Sequence, residues 1–273
     1  MKKAISFFVS ALVVASLLLA TSCTGNSENK MKKERERSQV ENIGKEIEKN
    51  VYPLPTSVDV IKMLTELEVG YIIDIVNPVE NVKKYFTSSS RAVNLGVYGA
   101  DLSYATLYNM QQEVIDYMDA IRTVSNDLNM SKIYNAPLYD SIKANYDKRD
   151  DLVRILTNAF NDTYAYLSEN DQQALALLVV GGAWVEGMYL TTHVSASAYN
   201  VAGISKVLLE QKKSFELFLD ITKPYMQDAM VSDFVKNLEP MKKVYDGMTT
   251  SLTEQNIKDI TAAIASVRSK IIL

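Results

Sequence analysis

The chain has 273 residues, with 29 lysines and arginines against 33 aspartates and glutamates, a formal net charge of −4, one cysteine and one histidine. A mildly acidic balance offers no concentrated basic surface for phosphate backbones, which excludes nucleic acid as a partner. A lone cysteine permits no internal disulfide and, with a lone histidine, cannot furnish a zinc site, so packing has to stabilise the fold.

The first element is a secretory signal. Lys2 and Lys3 precede an apolar run from Ala4 to Ala20, and the small residues Thr21 and Ser22 lead to Cys23. This is the charged, hydrophobic and small-residue order of a cleaved leader, and the run is shorter than the about 20 apolar residues of a spanning helix. Leu19-Ala20-Thr21-Ser22-Cys23 resembles the lipobox of bacterial lipoproteins. The resemblance implies cleavage after residue 22 and acylation of Cys23, whose several acyl chains would anchor the protein stably in a membrane. It also implies a site: Thr24 is not the aspartate that retains such proteins in an inner membrane, which points to the outer membrane with its face left open.

Residues 23–52 then read as a tether. Asn26 to Asn29 is polar, and Lys30 to Lys49 mixes both charge signs with few apolar residues. Glu41 and Lys45 stand in the favourable i, i+4 order of a solvated helix. Fully extended, the tether reaches about 100 Å. Tyr52-Pro53-Leu54-Pro55 stiffens its junction with a single domain over residues 53–273.

That domain is expected to be all-α, a bundle of roughly seven to nine helices. Thr56 and Asp59 suggest a capping box before Val60, Ile61, Leu64, Leu67 and Tyr71, and Pro78 stops that helix. A short helix is expected through Val82 and Phe86, then a turn at Thr87 to Ser90. A long proline-free helix is expected from about Arg91 to Leu128. Residues 138–167 carry a stripe of Leu152, Leu156, Ala159, Thr163 and Leu167 at four- and three-residue spacing. Further helices are expected from Gln173 to about Val194, Ile204 to Thr222, Val231 to Tyr245 and Thr253 to Ile272, with Glu239-Pro240 kinking or dividing the third of these. The apolar stretch Ala174 to Val185 is broken by Glu186, which suits a buried central helix better than a membrane span.

Two of these helices echo each other. Leu95-Gly96-Val97-Tyr98-Gly99-Ala100-Asp101 leads to Tyr104 and Tyr108, while Gly181-Gly182-Ala183-Trp184-Val185-Glu186-Gly187 leads to Tyr189 and His193. Each sets an acid among small residues with polar aromatics at i+3 and i+7, on one helical face. Glycine inside a helix costs about 1 kcal/mol against alanine, and close approach of two backbones is the natural reason to accept it. If the helices are central neighbours, Asp101, Tyr104, Tyr108, Glu186, Tyr189 and His193 line one cavity. The set then reads either as a pocket for a small ligand or as a satisfied core network fixing helix register. The network is the commoner arrangement, with tyrosine hydroxyls and imidazole partnering the buried acids. Trp184 points away from Glu186 and packs between helices. The 16 tyrosines suit half-buried faces and interfaces without choosing among them, and the 11 methionines suit core filling.

No catalytic set or cofactor is expected. One histidine without a serine elbow gives no nucleophilic triad, and the paired Glu-x-x-His motifs of a di-iron centre are absent. No metal site is expected either. The segments Asn94-Leu95-Gly96-Val97-Tyr98-Gly99-Ala100-Asp101-Leu102 and Gly182-Ala183-Trp184-Val185-Glu186-Gly187-Met188-Tyr189-Leu190, the second followed by Thr191-Thr192-His193, resemble all-helical lipoproteins of Bacteroidota-type bacteria. The resemblance spans about residues 50–273 and implies location and fold, but no activity or active-site residue. The expected function is therefore a non-enzymatic envelope lipoprotein, membrane-bound through Cys23, whose helical domain binds an envelope protein or a small-molecule ligand. The alternatives are a carboxylate-dependent hydrolase using Asp101 and Glu186, and a self-associating helical scaffold.

Overall fold

In a computed structural model the described residues are 70–194, 202–248 and 252–272, all within the unit Gly44–Leu273. The leader, Cys23, the tether and the helix expected from Thr56 as far as residue 69 lie outside the described residues. Where that helix is expected to run on toward Pro78, residues 70–72 are not helical and Ile73–Ile75 is a short 3-10 turn. Among those described there are nine α-helices, three short 3-10 turns and no strand, as the all-α expectation has it. The helices are α1 (Ser88–Leu107), α2 (Gln111–Asp127), α3 (Ala136–Lys143), α4 (Arg149–Glu169), α5 (Gln173–Val194), α6 (Ala202–Thr222), α7 (Ala229–Asn237), α8 (Glu239–Asp246) and α9 (Glu254–Arg268).

Local chemistry explains most boundaries. Thr87 and Ser90 form a reciprocal capping box, so α1 starts inside the stretch expected as a turn. Thr253 and Asn256 do the same for α9. The expected long helix from Arg91 to Leu128 is two helices. Asn109 takes φ 57° after α1, and Met110 N–H bonds back to Ala105 O at 2.9 Å. That six-residue backbone loop is the Schellman closure, and asparagine tolerates its left-handed residue better than most side chains. Asn129 and Asp171 close α2 and α4 in the same way, with φ of 61° and 59°. The 138–167 stretch is likewise divided into α3 and α4. Leu238 separates α7 from α8, which has Pro240 in its first turn, where a missing N–H costs nothing.

The core is built around α5, which packs against α1, α4, α6, α7 and α9. It is the one described helix long and apolar enough to cross a membrane, yet 83% of its most apolar stretch is buried inside the fold. A helix that is apolar all round suits the centre of a bundle. Its contact with α1 is the most extensive among the described helices. A Cβ on Gly96 would collide with the Val179 carbonyl oxygen and sit 2.6 Å from Ala183 N, and one on Gly182 would collide with the Val93 carbonyl. Gly181 makes room instead for the Phe234 ring, and Gly99 faces open space. Backbone approach thus accounts for Gly96 and Gly182 but not for Gly99.

Candidate functional site

The α1–α5 crossing sets Asp101 beside Glu186, both with no exposed surface. Their partner comes from α9. Arg268 donates from Nε to Glu186 Oε2 at 2.6 Å and from Nη2 to Glu186 Oε1 at 2.7 Å. Such a fork-to-fork pair is among the strongest hydrogen-bonded ion pairs, and its 6% exposure removes water as a competitor. Arg268 also donates from Nη2 to Ile75 O at 3.1 Å and lies 4.0 Å over the Tyr189 ring. Burial opposes its charge, but Glu186 outweighs that and holds its pKa above the ordinary arginine value.

Asp101 has a different state. Burial pushes its carboxyl well above the usual range, the Glu186 charge pushes it further, and Arg268, already committed to Glu186, pulls back less. Asp101 and Glu186 lie close enough for each charge to act on the other, and a dry site with one guanidinium favours keeping a proton on one of them. Oδ2 accepts from Asn77 N–H at 3.3 Å, whereas among the described residues Oδ1 has no hydrogen-bond partner. With the proton kept on Asp101, the node is electrically balanced, since Arg268 pairs with Glu186.

These side chains hold down an irregular segment that precedes α1. Ile72 N–H donates to Tyr104 Oη at 3.0 Å and Asn77 N–H to Asp101, while Arg268 donates to Ile75 O. Tyr117 Oη donates to Asn77 O at 3.2 Å, and Tyr98 Oη to Pro78 O at 3.2 Å. The buried Asn77 side chain donates to Tyr85 Oη at 3.0 Å and accepts from Asn81 at 2.7 Å. Residues 72–78 cannot satisfy their own backbone as a long helix would, so buried side chains of α1, α2 and α9 do it. Burial raises the pKa of Tyr98 and Tyr117 far above ordinary tyrosine and pushes Tyr104 up to about 12, so all three stay neutral donors or acceptors.

The six candidate residues do not line one cavity. Asp101 and Glu186 meet, but the aromatics diverge. Tyr104 and Tyr108 form a ring cluster with Tyr71, at centroid separations of 4.9 to 5.9 Å. Tyr189 turns to Arg268, and His193 stacks on Tyr189 at 3.8 Å with Nδ1 2.8 Å from the Tyr189 carbonyl. Burial lowers the His193 pKa, the Tyr189 carbonyl partly opposes this, and Arg268 adds to the lowering. The expected acid partners, tyrosine and imidazole, give way to arginine because only a cation can balance a buried carboxylate. Trp184 is buried as expected, against Phe215 and with Nε1 donating to Gln211 at 3.1 Å.

Sequence reasoning missed Arg268 and Asn77. Arg268 extends the buried stripe Ile257, Ile260 and Ile264 of α9 at i+4, so a charge in an apolar stripe was its signal. Asn77 stands in an Asn-Pro pair, a turn signal that does not reveal burial. Among the described residues no group of three His, Cys, Asp or Glu is placed to hold a metal ion. On the outside, a groove of about 740 Å³ runs between α3 and α4, lined by Ile133, Leu138, Arg154, Ile155, Asp162 and Tyr166 among others. Comparison with family models, curated proteins and solved structures finds no match to this chain.

Proposed function

We propose that this chain is a non-enzymatic cell-envelope lipoprotein of the all-helical Bacteroidota type, anchored in the outer membrane through an acylated Cys23. Its helical domain, carried on the 23–52 tether, binds an envelope protein or a small ligand. The observation that carries the non-enzymatic half is the state of the two acids. Both are fully buried, and Glu186 spends both oxygens on Arg268. A hydrolytic carboxyl pair stands about 5 Å apart or more, with room for substrate or water, whereas these two are fully buried and Arg268 closes off both oxygens of Glu186. With the inner acids buried, recognition falls to the outer surface, where the α3–α4 groove mixes apolar and charged side chains.

Metabolic labelling with a clickable palmitate analogue tests the anchor. Label on the wild type, lost from Cys23→Ala together with membrane fractionation, is expected; an unlabelled wild type overturns it. Native mass spectra of protein purified gently from its own envelope test the binding half. A co-isolated protein or small mass is expected, and robust turnover abolished by Asp101→Asn or Glu186→Gln would sink the non-enzymatic reading.

A further inference from the structure

We propose that residues 72–78 form a proton-locked clasp: a neutral Asp101 keeps the segment seated, and loss of its proton as pH rises releases it. The inference concerns the fold and stands whether or not Cys23 is acylated. Three geometric facts carry it. The segment's backbone is held by side chains, Tyr104, Asp101, Arg268, Tyr117 and Tyr98, at Ile72, Asn77, Ile75, Asn77 and Pro78 in turn. Asp101 is fully buried, and among the described residues its Oδ1 has no donor. The cation beside it is already engaged at both Glu186 oxygens.

The groups facing Asp101 are Glu186 on α5, Arg268 on α9, Tyr98 on its own helix α1, Tyr117 on α2, and Tyr71 and Tyr85 beside the segment. The tyrosines are neutral, so ionising Asp101 leaves two carboxylates sharing one guanidinium in a dry site. An uncompensated buried charge is costly, and two movements relieve it. Arg268 can turn toward Asp101, surrendering the Ile75 carbonyl, or Asp101 can turn toward water, surrendering Asn77 N–H. Each removes a fastening of the clasp. The direction follows from linkage: a carboxyl whose folded pKa lies above its unfolded value contributes most below the unfolded value. That contribution is lost as pH rises through the folded value.

The test is amide hydrogen exchange on the full chain from about pH 5 to about pH 9, corrected for base catalysis, in wild type and Asp101→Asn. Protection over residues 72–78 is expected to fall about tenfold per pH unit above the transition in wild type, relative to α6, and to stay level in Asp101→Asn. A level wild type, or an equal fall in the variant, overturns the clasp. Should Asp101→Asn fail to fold, wild-type infrared spectra decide. A protonated-carboxylic-acid band at low pH that vanishes as exchange rises supports the proposal, and no such band refutes it.

Discussion

Helices α1 and α5 carry the same ladder, an acid followed by polar aromatics at i+3 and i+7, and the two ladders end in opposite electrostatic states. On α5 every rung is engaged: Glu186 holds Arg268, Tyr189 lies beneath its guanidinium, and His193 stacks on Tyr189. On α1 the rungs are left short. Among the described residues Asp101 Oδ1 and Tyr108 Oη have no hydrogen-bond partner, and Tyr104 Oη takes a backbone N–H. Among the described residues one cation, Arg268, reaches the crossing, and one buried cation supports one buried carboxylate. The helix that meets α9 becomes charged and tied; the other keeps its acid neutral and spends it on the entry segment.

This contrast can be sharpened from its largest effect downward. Arg268→Met strands Glu186 and should cost about 3–5 kcal/mol, a fall in melting temperature on the order of 10 °C. Replacing both partners, Glu186→Leu with Arg268→Met, should recover most of that loss, because the desolvation cost leaves with the pair. A double variant no better than the single one would mean that the pair has another use. Gly96→Ala should cost about 1–3 kcal/mol or more, since the added methyl meets the Val179 backbone, which cannot rotate away. Gly99→Ala, three residues along the same helix and facing open space, should gain about 0.5–1 kcal/mol. Denaturant melts of the two variants should therefore move in opposite directions.

Smaller effects follow at the hydroxyls and the imidazole. Tyr98→Phe breaks the bond to Pro78 O and should cost about 1 kcal/mol, whereas Tyr108→Phe removes an unpartnered hydroxyl and should be neutral or stabilising. His193 has a folded pKa below its ordinary value, so its contribution is present above about 6.5 and is lost as pH falls. His193→Gln should flatten that acid limb of the stability profile, read by thermal melts across pH.

Much of the architecture was legible because it rests on local chemistry. Periodicity places α5 and α6 close to their observed limits, and Thr253 marks the start of α9. The acid and glycine echo brings α1 and α5 together, since small residues at one helical face signal close approach. The missed break at Asn109 has a local cause too: a single left-handed asparagine ends α1 without proline or glycine. What periodicity cannot carry is pairing across distance. Arg268 lies 82 residues from Glu186, and its role depends on how α9 docks. The tyrosines scattered as they did because Tyr71, outside the ladder, gathered Tyr104 and Tyr108 while Arg268 gathered Tyr189.

The most direct test compares melting of Asp101→Asn with that of Glu186→Gln at neutral pH. An amide at 101 preserves a neutral donor, while an amide at 186 leaves Arg268 buried without its carboxylate. The expected result is a loss under about 1 kcal/mol for Asp101→Asn against about 3–5 kcal/mol for Glu186→Gln. Equal losses would contradict a charged Glu186 beside a neutral Asp101, and a larger loss for Asp101→Asn would reverse their roles.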